Sequence, residues 1–148
     1  MVYFNFDDDE ISVAPIVIYT EYINLHYNKF LKKNFKDITY GDFTYLINIL
    51  YRNNISQREL SDLLFVSESN VAQIIKRLEK NGYVERTIDQ SNKSKKNINL
   101  TKKGSLTVLS LLKAVYEKES KFANKYSPEE IDKFKRMLYE YLEDSVEE

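Results

Sequence analysis

Apolar residues recur every three or four positions over residues 14–35, and this spacing predicts a long amphipathic helix. Residues 1–12 contain an acidic run without helical spacing and predict a flexible tail. A second apolar face covers residues 41–52, and Thr39 is placed to cap the start of that helix. The apolar positions of the two helices include Ile16, Ile23, Tyr27, Phe30, Leu31, Phe43, Leu46, Ile47 and Leu50.

Two shorter helices follow, joined by a tight connection. Ser56 has Glu59 three residues later, the capping-box arrangement that begins a helix, and this helix continues to Phe65. Ser67 caps the next helix, which ends at Asn81 before a glycine that suits a left-handed C-terminal cap. The apolar face of this helix consists of Val71, Ile74, Ile75 and Leu78.

Apolar and polar residues alternate over residues 83–88 and 97–100, which predicts two β-strands joined by the polar loop 89–96. Helical spacing returns after Thr101 and again behind the capping sequence of residues 127–130. Two short helices followed at once by a β-hairpin are typical of a winged helix-turn-helix. The sequence therefore predicts a mainly α-helical domain with a small β-hairpin wing.

The composition excludes several kinds of functional site. The chain of 148 residues contains no cysteine and one histidine, so a disulfide framework and a thiol switch are excluded and a zinc site is disfavoured. We therefore expect no cofactor and no metal. The sequence also lacks a nucleophile elbow, a phosphate-binding glycine loop and an HExxH pair, and we do not expect an enzyme. Without a long apolar run or a signal sequence, we expect a soluble cytoplasmic protein.

The net charge of -1 conceals an uneven distribution of charged residues. Residues 52–103 contain eleven Lys or Arg and six Asp or Glu, whereas the segments on both sides are acidic. The basic segment coincides with the predicted helix-turn-helix. This agreement indicates a surface that faces a polyanion such as DNA.

The polar face of the helix that begins at Ser67 has side chains suited to reading DNA. If its apolar face is buried, six side chains point outward: Ser69, Asn70, Gln73, Lys76, Arg77 and Lys80. Asn and Gln pair with adenine, whereas Lys and Arg reach guanine or phosphate. In the hairpin loop, Lys93, Lys95 and Lys96 are placed to contact the DNA backbone or a narrow minor groove. A hairpin that only faces solvent is the alternative.

From Ile55 to Gly104 the chain resembles the MarR family of winged-helix regulators, through SQRELSDLLFVSESNVAQIIKRLEKNGYVER, a polar wing and INLTKKG. The resemblance implies a single MarR-like domain over residues 13–148, with a winged helix-turn-helix at about 39–101. It implies dimerisation helices at about 13–35 and 101–146.

The same resemblance implies a homodimeric, sequence-specific DNA-binding regulator, commonly a repressor that a small-molecule effector releases. The helix from Ser67 to Asn81 would enter the major groove of a pseudo-palindromic operator in double-stranded DNA, and the loop near Lys93 would be the wing. The DNA-binding residues expected on this basis are Ser67, Ser69, Asn70, Gln73, Lys76, Arg77, Arg86, Lys93, Lys95 and Lys96.

The chain departs from the family pattern at two places. Members usually have an acidic residue at the position of Asn92 and an arginine, which enters the minor groove, at the position of Ser94. Lysine in this loop lacks the planar fork of arginine, so we expect a weaker or less shape-selective wing contact. Ala72 and Gln73 stand where serine and arginine are common, which changes the expected operator sequence.

Family ligands bind between the DNA-binding lobe and the dimerisation helices. On that basis Tyr22, His26 and Tyr45 are candidate ligand-binding residues, with core or dimer packing as the alternative for such aromatic side chains. Cysteine-based oxidant sensing is excluded by the composition. The competing interpretation is a winged-helix module that binds protein, but the polar face of residues 69–80 lacks the exposed apolar side chains that such a surface requires.

Overall fold

The computed structural model describes residues 7–147. This part of the chain forms helices at α1 (Asp8–Val13), α2 (Ile16–Asn34), α3 (Tyr40–Tyr51), α4 (Gln57–Leu64), α5 (Glu68–Lys80), α6 (Lys102–Ala123) and α7 (Pro128–Asp144). Its strands are β1 (Ile55–Ser56), β2 (Val84–Ile88) and β3 (Lys96–Leu100). The mainly helical fold with a small β-sheet is confirmed. The chain divides into two compact units, one up to Ser105 and one from Leu106, which are described separately.

Side-chain caps explain why the helices begin where they do. The predicted caps Thr39, Ser56, Ser67 and Ser127 each accept a hydrogen bond from the backbone N–H three residues later. At three of these four positions the acidic residue three places on bonds back to the N–H of the cap. Each such cap contributes about 1 kcal/mol by satisfying donors that the first helical turn leaves without partners.

Helix α1 lies within the segment for which the sequence predicts a flexible tail. Asp7 accepts from the N–H of Glu10, and Glu10 accepts from the N–H of Asp7, which makes a complete capping box. The acidic run therefore supplies a helix start, and residues 8–12 are helical although their sequence shows no helical spacing. Residues 1–6 lie outside the described residues.

The three strands form one antiparallel sheet in the order β1-β3-β2. The hairpin of β2 and β3 is confirmed, but the sequence did not predict β1, because two residues are too few to show alternation. Ile55 of β1 lies opposite Ile98 of β3. Beside this pair, Asn54 and Asn99 exchange two hydrogen bonds of 2.9 and 2.8 Å. The amide pair closes the open end of the short strand.

The core of the first unit lies between the helices α3, α4 and α5 and the sheet. Helix α4 contacts α5, β1 and β3, while α3 contacts β3 and α5 contacts β2. The side chains that are fully buried here are Leu46, Leu60, Val71, Ile75, Leu78 and Ile98. Each contributes about 1.5–3 kcal/mol through removal of its apolar surface from water. This burial fixes which face of α5 points away from the core.

A tight junction joins the end of β3 to the start of α6. Thr101 donates from its hydroxyl to the carbonyl of Gly82, and its backbone N–H donates to the carbonyl of Tyr83 at 3.1 Å. A β-carbon added to Gly104 would lie 2.9 Å from the Tyr83 carbonyl carbon and would overlap the oxygen of that carbonyl. Only glycine therefore allows this approach of the helix to the sheet.

The second unit contains most of α6 and all of α7. Near the turn between these helices, the ring of Phe122 lies edge-on to Phe134 at 5.8 Å and 5.2 Å from the ring of Tyr126. Helix α7 has no buried residue in the described part of the chain. Its exposed apolar side chains recur at helical spacing as Phe134, Met137, Tyr141 and Leu142.

Candidate nucleic-acid interface

Helix α5 separates its apolar and polar residues onto opposite faces. Val71, Ile75 and Leu78 are buried, whereas Ile74 is half-buried. All six polar side chains predicted to point outward are exposed: Ser69, Asn70, Gln73, Lys76, Arg77 and Lys80. The prediction of an outward polar face on this helix is therefore confirmed.

The turn between α4 and α5 is closed by backbone hydrogen bonds. The N–H groups of Phe65 and Val66 both donate to the carbonyl of Ser61. Phe65 adopts the left-handed conformation, with φ 54° and ψ 42°, and its side chain is 90% exposed. Ser67 then caps α5 and bonds the hydroxyl of Ser69 at 3.1 Å. The Ser67 hydroxyl, predicted to bind DNA, is thus also part of the helix start.

Arg77 has a partner inside the protein. Its guanidinium donates two hydrogen bonds to the carboxylate of Asp42, one of them at 3.0 Å from Nη1 to Oδ2. The Asp42 side chain is only 2% exposed and also accepts from the N–H of Thr39. These hydrogen bonds to Asp42 raise the pKa of Arg77 above its ordinary value. No sequence pattern predicted this pair, since its members lie on different helices.

Arg86 is held in the same way. Its guanidinium bonds both carboxylate oxygens of Glu79 at 3.0 and 3.1 Å and the side-chain oxygen of Gln57 at 3.3 Å. The hydrogen bonds from Arg86 lower the pKa of Glu79. One side chain from β2 therefore bonds residues of both α4 and α5, which fixes these two helices against each other.

The wing loop is ordered by its own side chains. Asp89 accepts from the backbone N–H and the hydroxyl of Ser91 and from the backbone N–H of Asn92. These bonds, led by the Ser91 hydroxyl, lower the pKa of Asp89 to about 2. Asn92 in turn accepts from the N–H and hydroxyl of Ser94. Asn92 and Ser94, the two positions at which the chain departs from the pattern of the family it resembles, therefore bond each other.

The three wing lysines differ in their surroundings. Lys93 and Lys96 are exposed, whereas Lys95 is half-buried with its Nζ 3.9 Å from Oε2 of Glu59. The pKa of Glu59 is lowered, chiefly by hydrogen bonds with Ser56 and to a smaller extent by Lys95. Two of the three lysine side chains are thus exposed, and the third lies beside a carboxylate.

The candidate ligand-binding residues lie on α2 and α3, which contact each other. Tyr22 is half-buried and His26 is exposed. Tyr45 is 5% exposed, and its hydroxyl has no hydrogen-bond partner among the described residues. Burial raises the pKa of this hydroxyl. Tyr45 is therefore a core residue with an unused polar group.

Residues 7–147 contain no group of three or more acidic, histidine or cysteine side chains that could hold a metal ion. The same range has no helix that combines the length and the apolar character needed to cross a bilayer.

Comparison with known proteins places this geometry in a family. The family model for the MarR family matches residues 38–96, which cover the helix-turn-helix and most of the wing. An uncharacterized HTH-type transcriptional regulator of Bacillus cereus is 30% identical over 127 residues, which are 86% of this chain and 81% of the relative. The chain belongs to the MarR family. It is a transcriptional regulator with a DNA-binding helix-turn-helix, and this family and fold are those of regulators and not of enzymes.

Solved MarR structures have the same fold. A crystal structure of MarR superposes with a TM-score of 0.81 at 22% identity, covering 96% of this chain and 95% of the other. A point mutant of MepR from S. aureus, bound to an oligodeoxyribonucleotide, has a TM-score of 0.65 at 19% identity and covers 96% of this chain and 100% of its own. The resemblance predicted from the residues is therefore confirmed for family and fold.

Proposed function

We propose that the protein is a homodimeric, sequence-specific DNA-binding regulator, and specifically a repressor that responds to a small-molecule effector. In this proposal α5 enters the major groove and the wing lies on the backbone or in the minor groove. The carrying observation is the α5 face whose six polar side chains are exposed while the opposite face is buried.

The proposed base and phosphate contacts are divided among the exposed side chains. Asn70 and Gln73 have amides that can pair with adenine, and Lys76 reaches guanine or phosphate. Ser67 and Ser69, at the start of α5, suit phosphate contacts at a helix N-terminus. Lys93, Lys95 and Lys96 are proposed to contact the backbone through the wing.

Arg77 and Arg86 enter the proposal in a different role. Their guanidinium groups are bonded to Asp42 and Glu79, so reaching DNA would require those bonds to break or be shared. We assign them to positioning: Arg77 holds α5 on α3, and Arg86 holds α5 on α4. Side chains that fix a recognition helix affect affinity without reading a base.

Dimerisation is proposed from the apolar side chains that the isolated chain exposes. Helix α7 exposes Phe134, Met137 and Leu142, and α2 exposes Val17 and Ile23, each more than two-fifths accessible. Soluble monomers rarely leave such sets of apolar side chains in water. We propose that two copies bury these side chains against each other and that their two α5 helices dock about 34 Å apart, one turn of DNA, on a pseudo-palindromic site.

The effector part of the proposal rests on Tyr45, with Tyr22 and His26 on the adjoining helix. A buried hydroxyl without a partner costs about 1–3 kcal/mol, and a ligand acceptor would recover this. Ligand binding that favours a state with the two recognition helices out of register would release DNA.

The oligonucleotide seen with the MepR mutant supports DNA as the partner.

Selection of bound duplexes from a random DNA pool, followed by a salt titration on the selected sequence, tests the proposal. We expect a two-fold symmetric site and a steep fall in affinity with salt, because phosphate contacts release counterions. Light scattering after size exclusion should give twice the mass of 17.6 kDa. Salt-sensitive binding without sequence preference would contradict specificity, and no binding at low salt would favour the protein-interaction module.

A further inference from the structure

Phe65 combines two unusual properties at the turn before the recognition helix. Its φ of 54° lies in the left-handed region, which a β-carbon disfavours, and its side chain is 90% exposed. Within residues 7–147, the other positive-φ residues are Asn54 and Gly82. Those two residue types enter this region most easily, so Phe65 is the exception.

The turn itself does not require an aromatic ring. The bonds that close it, from the N–H groups of residues 65 and 66 to the Ser61 carbonyl, involve only backbone atoms. Glycine would make the same bonds without steric cost. Because the exposed ring gains little packing in return, the strain at Phe65 indicates a role outside the folded chain.

The position of Phe65 limits what its ring meets. Phe65 lies two residues before the α5 cap Ser67, so their Cα atoms are within about 7 Å. In helix-turn-helix proteins the N-terminal residues of the second helix contact base edges in the major groove. The apolar group that this groove offers is the C5-methyl of thymine, and phenylalanine is among the side chains that contact it.

We propose that Phe65 is a specificity-determining residue whose ring contacts a thymine methyl in the operator. This inference rests on the proposed function, because it requires α5 to enter the major groove. A polar or charged partner would not explain an exposed phenyl group, whereas a methyl group in the groove would.

The test replaces each thymine of the selected operator with deoxyuridine, which removes the methyl and keeps the base-pairing edge. We expect one thymine in each half-site at which the wild-type protein loses about fourfold in affinity, the factor for one buried methyl group. Phe65→Gly should bind the natural operator more weakly and show no loss at that thymine. Tyr51→Ala, which removes another exposed ring, should keep the full methyl effect.

Thermal unfolding separates this result from misfolding. Phe65→Gly should melt at a higher temperature than wild type because the backbone strain is relieved, so weaker binding cannot reflect an unfolded variant. Equal methyl sensitivity in wild type and Phe65→Gly, no sensitivity at any thymine, or an operator without thymine would overturn the contact while leaving the regulator proposal intact. Absence of any sequence preference in the wild type would overturn both.

Discussion

The guanidinium of Arg77 on α5 donates two hydrogen bonds to the carboxylate of Asp42, which also closes the capping box of α3. One buried carboxylate thereby sets the start of one helix and the position of another. Because α5 carries the polar face proposed to read DNA, this ion pair helps to fix the position of that face relative to α3. Asp42 is 2% exposed while Arg77 is 44% exposed. Loss of the pair would therefore leave a buried charge without its partner at Asp42, whereas the charge of Arg77 would still be solvated.

Arg77→Gln should lower the free energy of unfolding by about 1–3 kcal/mol, because the buried carboxylate loses its charged partner. The expected loss of stability is smaller than for a fully buried ion pair, because Arg77 is partly solvated. Arg77→Lys should lose less, since it keeps the charge without the planar fork. Urea unfolding measures both variants. The exposed neighbour Lys76 is the control, and Lys76→Gln should change stability by less than about 0.5 kcal/mol. Equal stability of Arg77→Gln and wild type would show that the pair does not stabilise the fold.

Gly104→Ala should be destabilising by roughly 1–3 kcal/mol or more, because the new methyl would overlap the Tyr83 carbonyl and force the helix from the sheet. Gly41→Ala is the matched control. At Gly41 the nearest atom to an added β-carbon is Thr39 Oγ1 at 3.6 Å, an ordinary contact. That variant should be neutral or up to about 1 kcal/mol more stable, because alanine favours helices. Similar melting temperatures for the two variants would contradict the close approach.

Local signals in the sequence were sufficient for most of the fold. Caps such as Thr39, Ser56 and Ser127 act within one helical turn, so a residue and its partner three positions later are visible in the sequence. The strand β1 was missed because it exists through pairing with β3, which is distant in the sequence, as in Ile55 with Ile98. Long-range pairing leaves no periodic trace in a segment of two residues.

The candidate site was also predictable where its features depend on local sequence signals. The exposed face of α5 follows from helical geometry, and the wing lysines follow from the hairpin. The partners of Arg77 and Arg86 could not be predicted. The sequence shows that each arginine lies on a polar face, but it does not show whether the side chain contacts solvent, DNA or a carboxylate. Phe65 had one available signal, an aromatic residue between a helix end and the next cap, where glycine or asparagine is expected.

The Asp89 carboxyl should remain ionised far into the acid range. Its pKa of about 2 lies below the roughly 3.9 of an unfolded aspartate, so the ionised group favours the ordered wing above the unfolded value, and this is lost as the pH falls towards 2. The carboxyl ¹³C resonance, followed by NMR, should therefore hardly move between about pH 6 and pH 3.5. Ser91→Ala removes the hydroxyl that contributes most and should raise the midpoint. A wild-type midpoint near the unfolded value would contradict the loop geometry.

Replacing the three wing lysines with glutamine should weaken binding to every DNA sequence and reduce the salt slope. Each phosphate contact contributes roughly 0.9 to that slope, so loss of two or three contacts should be readily measured. The variant carries Lys93→Gln, Lys95→Gln and Lys96→Gln. Fluorescence anisotropy at several salt concentrations gives the slope for specific and random duplexes.

A charge-matched variant controls for the loss of net positive charge. Lys32, Lys33 and Lys36 are exposed and lie in or just after the end of α2. Changing these three to glutamine alters the net charge equally but should leave the local phosphate contacts of the wing in place. If both triple variants reduced the slope alike, the effect would belong to overall charge, and the wing would not be a contact surface.

Gln73 is the exposed α5 side chain best suited to a specific base, since its amide can accept from N6 and donate to N7 of adenine in the major groove. Gln73→Ala should weaken operator binding by about 1–3 kcal/mol and leave binding to random DNA nearly unchanged. The difference in affinity between Gln73→Ala and wild type should disappear when the contacted base pair is replaced, because neither protein then makes these hydrogen bonds. Lys76→Ala provides the contrast on the same helix face: a phosphate contact should cost similar affinity on both DNAs. Equal losses for Gln73→Ala on operator and random duplexes would show that this side chain supports binding without reading sequence.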